Sequence, residues 1–276
     1  MTWVIGIAIG ILAGYLLDRE IYFYEGVHLG PRVQAWLYDR WSKKYDAGKR
    51  ESQLRDEEML ARPLLDLLKG IPQPFILDFA TGTGRLSFVL LNQADFNGRI
   101  IALDLSQGML EQAAAKLSAL EKRPQVEFIR HLALPLPFPD ESFDAVCALE
   151  VLELFPSMDE PLKELTRVLR RGGILLTSRG TEESGRRAKV KSRPAFTSLL
   201  EKNGLRDIEI TQWWKFFDRV LARKSGESNP AGAKKLSDVT RCPQCGQVQW
   251  KREPMGLACQ SCGCELPVTK EGIVLG

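Results

Sequence analysis

The sequence predicts an α/β fold: a doubly wound, mostly parallel sheet with helices on both faces, preceded by N-terminal helices and followed by a small metal-binding module. Three observations carry that expectation. Apolar runs at 75–79, 99–103, 126–129, 144–149 and 173–178 alternate with helical stretches at 85–94, 107–120 and 158–170, the rhythm of an open parallel sheet. Phe75-Ile76-Leu77-Asp78 runs into a turn holding Gly82 and Gly84, and a helix leaves from Arg85. Glycine there lets backbone N–H groups approach a ligand, and the helix start adds partial positive charge. Five of the six cysteines lie between 242 and 264, a local metal site rather than a disulfide framework.

At 276 residues the chain has room for one domain and a small module. Its net charge of +3 is too small to argue for a nucleic-acid partner. Residues 3–17 carry no charge. As a helix they span about 23 Å, against about 30 Å of hydrocarbon. Gly6, Gly10 and Gly14 share one face, a pattern of close helix packing in bilayers, and Trp3 and Tyr15 sit near the two ends. The expectation is a single-pass membrane anchor over 1–20, able to self-associate through those glycines; the alternative is a buried N-terminal helix. Arg19, Arg32, Arg40, Lys43 and Lys44 follow the run, which would place the rest of the chain in the cytoplasm. Residues 21–69 read as an amphipathic helical segment, with Val33, Trp36, Leu37, Trp41 and Tyr45 at helical spacing.

The core is expected over 70–225. Gly82-x-Gly84 lacks the third glycine of a pyrophosphate fingerprint. The second strand ends in Asp104, about 20 residues after the turn, where a carboxylate can accept bonds from ribose hydroxyls. Ser106 caps the next helix. Residues Arg206 to Thr211 and Trp213 to Ala222 complete seven strands. In such sheets the ligand sits outside the strand carboxyl ends, where Asp78, Asp104 and the loop after 129 converge.

Residues 77–85 (Leu-Asp-Phe-Ala-Thr-Gly-Thr-Gly-Arg) and 102–110 (Ala-Leu-Asp-Leu-Ser-Gln-Gly-Met-Leu) resemble the first two motifs of class I S-adenosylmethionine-dependent methyltransferases, in particular the ubiquinone/menaquinone C-methyltransferase-like group. Residues 136–144 and 165–173 are similar to two later motifs of that family. The resemblance implies a Rossmann-like methyltransferase sheet with its final strand antiparallel, and S-adenosylmethionine as methyl donor. It implies a donor pocket built from Asp78, Ala80, Thr81, Gly82 and Gly84 in the turn, Asp104, Leu105 and Met109 after the second strand, and Leu132, Ala133 and Glu150. Asp78 orders the turn or meets the donor's amino-acid part, and Asp104 binds its ribose. Residues 38–46 look like the family segment that folds over the pocket, making Tyr45 a wall; lying on the sheet or at the membrane surface is the alternative for that helix. The methyl of a sulfonium leaves by in-line displacement, so the enzyme's main task is alignment.

Two positions depart from the family. Leu132 stands where a carboxylate usually meets the adenine amine, and Leu154 stands where a histidine is expected. No general base is assigned: Glu150 and Glu153 are weak candidates that read rather as solvated helix-end charges, and His28 and His131 read as incidental. Arg186, Arg187, Lys189, Lys191 and Arg193 make a basic loop suited to anionic headgroups; RNA is the less favoured partner, with no interleaved aromatics.

A polar linker over 226–240 leads to Cys242-x-x-Cys245 and Cys259-x-x-Cys262, two knuckles thirteen residues apart. That spacing predicts a zinc ribbon over 241–276, with four thiolates on Zn2+ and Cys264 as a spare thiol; redox use of a C-x-x-C pair is the alternative. The tail is similar to small zinc-ribbon proteins that activate RNA and protein methyltransferases, with Leu266 where they carry an aromatic residue. The reading is thus a membrane-anchored methyltransferase acting on a small lipophilic acceptor such as a quinone precursor. The alternatives are an RNA or protein methyltransferase that docks through the ribbon, and a donor-binding scaffold without turnover.

Overall fold

The computed structural model describes residues 2–184 and 190–276. Its centre is an eight-stranded sheet in the order β11-β3-β2-β1-β4-β5-β7-β6. The strands are β1 (Phe75–Phe79), β2 (Arg99–Asp104), β3 (Val126–Arg130), β4 (Phe143–Ala148), β5 (Leu169–Gly180), β6 (Leu205–Trp214), β7 (Phe217–Lys224) and β11 (Ile273–Leu275). The seven expected strands are present, and β7 is antiparallel to both neighbours. The eighth comes from the last residues of the chain: β11 lies parallel to β3, with Ile273 opposite Phe128.

Alternation along the strands builds two cores. Phe75, Leu77 and Phe79 pack into one face with Ile101, Leu103 and Val146. Ile76 packs into the other with Ile100, Ala102 and Phe128. Both faces are covered, which is why β1 and β4 are buried along their whole length. The chain moves outward from β1 through β2 to β3, then returns to β4 on the other side of β1. That reversal opens a crevice above the ends of β1 and β4, the ligand position of open α/β sheets.

The helices in chain order are α1 (Thr2–Tyr22), α2 (Pro31–Gln53), α3 (Arg62–Leu68), α4 (Arg85–Leu91), α5 (Gln107–Leu117), α6 (Asp159–Val168) and α7 (Arg193–Lys202). Ser106 caps α5 by accepting from Met109 N–H at 3.1 Å. Proline at the first turn helps start α2 and α7, where its missing N–H costs nothing.

The expected membrane anchor and single-pass localisation are corrected here. Among the described residues, no helix is long and apolar enough to cross a membrane. The physical reason is in α1 itself, which continues through Asp18, Arg19 and Glu20. Its end is tied to the segment that leads into α2, with Arg19 bonded to Tyr24 at 3.4 Å and Glu20 to His28 at 2.9 Å. The α1 glycines Gly6, Gly10 and Gly14 face open space. Of the basic loop, Arg186, Arg187 and Lys189 lie outside the described residues, and Arg193 pairs with Asp218 at 2.9 Å.

The C-terminal module is a three-stranded sheet of β8 (Trp250–Glu253), β9 (Gly256–Cys259) and β10 (Glu265–Pro267). The stretch leading to it lies against the core: Leu236 and Val239 are buried in it, and Leu236 N–H donates to Glu127 at 2.9 Å. Arg241 N–H to Pro137 O at 2.7 Å and Gly276 N–H to Arg130 O at 3.0 Å tie the module to the end of β3 and the loop after it.

Candidate active site

The turn after β1 is built by buried polar bonds. Asp78 accepts from Thr81 Oγ1 at 2.7 Å and from Ser87 Oγ at 2.8 Å, joining the turn to α4. Ala80, Gly82 and Gly84 all take positive φ, of 53°, 56° and 76°. At Gly84 a Cβ would meet Ala113 Cβ of α5 at 3.1 Å. At Gly82 its only neighbour within 4 Å among the described residues would be the Tyr45 ring at 4.0 Å. Gly84 therefore serves helix packing, while Gly82 bares backbone to the cavity beside Tyr45.

Asp104 closes the turn from β2, accepting from Gly82 N–H and Ser106 N–H, each at 2.8 Å. Burial, with Asp78 nearby, pushes its carboxyl up to about 6 despite those two donors. Asp78 is also raised by burial.

Helix α2 roofs this crevice. Asp39 accepts from Ser106 Oγ at 2.6 Å and Gly108 N–H at 2.8 Å, clamping α2 to the first turn of α5. A Cβ on Gly108 would strike Asp39 Cα at 3.1 Å, so the approach needs glycine. Asp46 pairs with Lys116 at 2.6 Å and accepts from Thr83 at 2.5 Å. Tyr38 and Tyr45 lie two helical turns apart and face the cavity, their ring centroids separated by 6.4 Å.

Of the twelve sequence-predicted pocket residues, nine line one cavity: Tyr45, Ala80, Gly82, Asp104, Leu105, Met109, Leu132, Ala133 and Glu150. Asp78 and Thr81 line an adjoining cavity with Lys49 and Arg85. Gly84 lines neither. A third cavity opens between α2 and the β6–β7 turn. Tyr45 and Glu150 border all three.

Glu150 follows β4 with φ of 53°, a left-handed backbone that costs a non-glycine residue about 1–2 kcal/mol. Its N–H donates to Ser178 Oγ at 2.6 Å. Its carboxylate is held by Lys49 and by Arg85 at 2.9 Å. Arg85 is itself fixed by Asp56 at 2.7 Å and lies 4.4 Å over the Trp213 ring. Neither expected solvated carboxylate is solvated. Glu150 is ion-paired, and Glu153 is buried, accepting from Gly180 N–H at 2.7 Å with its carboxyl raised by burial. His131 lines the first cavity with its ring 3.1 Å from Pro135 O, and burial lowers its pKa. His28 is bonded to Glu20, outside the cavity linings.

Sequence reasoning missed Asp39, Asp46, Lys49, Asp56 and Arg85 as builders of the site. Asp39, Asp46 and Arg85 stood inside the quoted motifs. Lys49 and Asp56 carried no local signal, because their partners Glu150 and Arg85 lie 101 and 29 residues away.

In the C-terminal module, Cys242, Cys245, Cys259 and Cys262 bring their sulfurs within 4.8 Å of one another. The Cys242–Cys262 and Cys245–Cys259 separations are 3.5 and 3.6 Å. Each knuckle turns on a left-handed glycine: Gly246 N–H donates to Cys242 O and Gly263 N–H to Cys259 O, both at 2.9 Å. Cys264 lies outside the group.

A turn of bared backbone at the switch point, two strand-end carboxylates and a helical roof define a nucleoside-binding α/β enzyme. The chain belongs to the class I S-adenosylmethionine-dependent methyltransferases. The family model described as a methyltransferase domain matches residues 77–177. A demethylmenaquinone methyltransferase of Lactobacillus johnsonii is 32% identical over 173 residues, 60% of this chain and 71% of that protein. One from Symbiobacterium thermophilum is 31% identical over 137 residues, 50% of this chain and 55% of that protein. Among solved structures, a SAM-dependent methyltransferase from Aquifex aeolicus shares the fold with a TM-score of 0.53 at 21% identity, covering 67% of this chain and 97% of that one.

Proposed function

We propose that this enzyme methylates a small lipophilic acceptor of the quinone-precursor kind. The observation that carries the reading is the meeting of three cavities at Tyr45 and Glu150. One has the wall of a nucleoside site, with Asp104 beside bared backbone at Gly82 and aliphatic Leu105, Met109 and Leu132 around it. The second offers Arg85 and Lys49, cations suited to the donor's carboxylate. The third is walled mostly by aromatic rings, with Glu25, Lys49, Glu150 and Ser184 among them, which suits a ring-bearing acceptor that carries a polar group. The named relatives act in the same sense, by their names.

In this reading Asp104 accepts from the ribose hydroxyls and Asp78 holds the turn. The backbone near Leu132 and Ala133 meets adenine, since Leu132 brings no carboxylate. Glu150 carries a fixed negative charge to the junction where a sulfonium would lie. Its two cations balance that charge, so the protein's contribution is alignment plus a preset field.

The four cysteines fit Zn2+. A tetrahedron of Zn–S bonds of about 2.3 Å needs sulfurs roughly 3.8 Å apart, and the two close pairs stand at 3.5 and 3.6 Å. Bound there, the metal would supply cross-linking energy to a module too small to fold on its own core.

The test is methyl-labelled S-adenosylmethionine with purified protein and fractionated cell extract. Label entering the organic-soluble quinone fraction is the expected outcome. Label confined to RNA or to protein would refute the acceptor class.

A further inference from the structure

We infer that Gln34 of α2 is the side chain that recognises the base of the donor nucleoside, its amide pairing with the amine edge of adenine. This inference rests on the methyltransferase reading above and names the group that selects adenine within the same cavity.

Gln34 is only 8% exposed, and it lines the cavity that holds Asp104 and Gly82. Among the described residues its side-chain amide has no hydrogen-bond partner, and neither amide atom is sealed off from solvent. The amide therefore opens into the cavity. A primary amide both donates and accepts, and a buried one without partners is costly.

The sheet order β3-β2-β1-β4 fixes which part of a ligand the amide meets. Helix α2 crosses the carboxyl ends of these strands in turn. Lys49 pairs with Glu150 beyond β4, Tyr45 lies against Gly82 after β1, and Asp39 bonds Ser106 and Gly108 after β2. The strand next in order is β3. One helical turn before Tyr38, on the face that carries Tyr38 and Tyr45 into the cavity, stands Gln34. Leu132 and Ala133, which follow β3, line the cavity with it. From Tyr45 to Gln34 the roof runs about 16 Å at about 1.5 Å per residue. With the ribose at Asp104 and the amino-acid tail at Lys49 and Arg85, the base lies toward β3, under Gln34.

The rest of that end is aliphatic. Leu105, Met109, Leu132 and Leu134 can clamp a flat ring, and their side chains bring no nitrogen or oxygen to it. His131 is turned to the backbone, its ring 3.1 Å from Pro135 O. Adenine sets a donating 6-amino group beside an accepting ring nitrogen. The Gln34 oxygen can accept from the amine while its N–H₂ donates to the ring nitrogen, the two-point pairing that glutamine makes with adenine in nucleic acids. Gln34 is thus a specificity-determining residue for the donor, remote from the methyl group that moves.

The test compares two ligands by calorimetry on the full-length protein: S-adenosylhomocysteine and its purine analogue, in which hydrogen replaces the 6-amino group. The native chain is expected to bind S-adenosylhomocysteine about fivefold or more tightly than the analogue, the worth of one net hydrogen bond. Gln34→Leu, close in size, should bring that ratio to within about twofold of one. Gln34→Glu keeps an acceptor for the amine and should keep the preference. The ratio is insensitive to a loss of folded protein, because both ligands draw on the same folded fraction. A native ratio near one, a native-like ratio in Gln34→Leu, or loss of the preference in Gln34→Glu would overturn the inference. Failure of the native chain to bind either ligand would instead sink the donor-site reading, and the two failures are told apart in the same titrations.

Discussion

Replacing Asp104 by asparagine separates the turn-closing bonds of that residue from the ribose-binding role proposed for it. Its carboxyl sits at about 6 against an ordinary 3.8. The sign follows directly. A buried acid with a raised pKa favours the fold in its neutral form, so the stability it lends is complete below about pH 4 and lost as pH rises through about 6. At pH 7 the shift of roughly two units corresponds to about 3 kcal/mol against the fold, at about 1.4 kcal/mol per unit. Asp104→Asn removes that charge. It also places an amide N–H₂ against Gly82 N–H or Ser106 N–H, both of which now donate to a carboxylate oxygen, at a cost of about 1–3 kcal/mol. The two effects nearly cancel, so the melting temperature at pH 7 should move by only a few degrees. Donor binding should not be spared. Ribose hydroxyls need acceptors, and hydrogen bonds to a charged group are worth about 1.5–3 kcal/mol, or roughly 10- to 150-fold in Kd. Calorimetric titration with S-adenosylmethionine from pH 5 to 8 reads both. The native protein should lose affinity as pH falls through about 6, by up to about tenfold per unit, and the variant should be weak and flat over the pH range set by this group. Native-like donor affinity in Asp104→Asn, or a pH profile that survives the substitution, would refute the assignment.

Three further outcomes follow from the same geometry. Gly84→Ala puts a Cβ 3.1 Å from Ala113 at φ of 76°, adding about 1–2 kcal/mol of backbone strain to about 1–3 of overpacking; thermal melting should show a loss of several degrees, and an unchanged midpoint would show the contact is not close. Glu150→Gln strips the charge that Lys49 and Arg85 share; Arg85 keeps Asp56 and Lys49 is partly exposed, so the loss should lie below the about 3–5 kcal/mol of breaking a buried pair, and transfer activity and melting temperature should both fall, whereas loss of neither would mean the network is idle. Chelation that removes metal from Cys242, Cys245, Cys259 and Cys262 should raise amide exchange at Ile273–Leu275 and at the Thr240–Trp250 contact, where the indole donates to Thr240 O at 2.7 Å. Exchange unchanged at β11 would show that the strand holds to β3 without the module.

How much of this was readable beforehand depends on distance along the chain. The turn at 78–84 and the cap at Ser106 are local chemistry: Asp78 bonds partners three and nine residues away, so a short motif contains the whole device. The strand rhythm was readable because burial on both faces demands continuous apolar runs at 75–79 and 143–148. The two cysteine knuckles were readable because each is a local turn and metal chemistry restricts the ligand types. The uncharged run at 3–17 was misread as a membrane span because composition does not say where a helix ends. In the structure α1 carries on through Asp18, Arg19 and Glu20 into contacts with Tyr24 and His28.

The sequence by itself determined the class of sheet, the glycine turn after β1, the strand-end carboxylates and the four thiols, since each is set by neighbours along the chain. Only the tertiary structure decided the rest. It brought Lys49, Asp56, Arg85 and Glu150 into one charge network, opposed the aromatic rings of α2 to those of the β6–β7 turn, and sent Ile273–Leu275 back to extend the core sheet. A three-residue strand is too short to show its own period, and long-range ion pairs and cavity walls leave no pattern at fixed spacing. They exist only once the sheet has fixed where its distant segments meet.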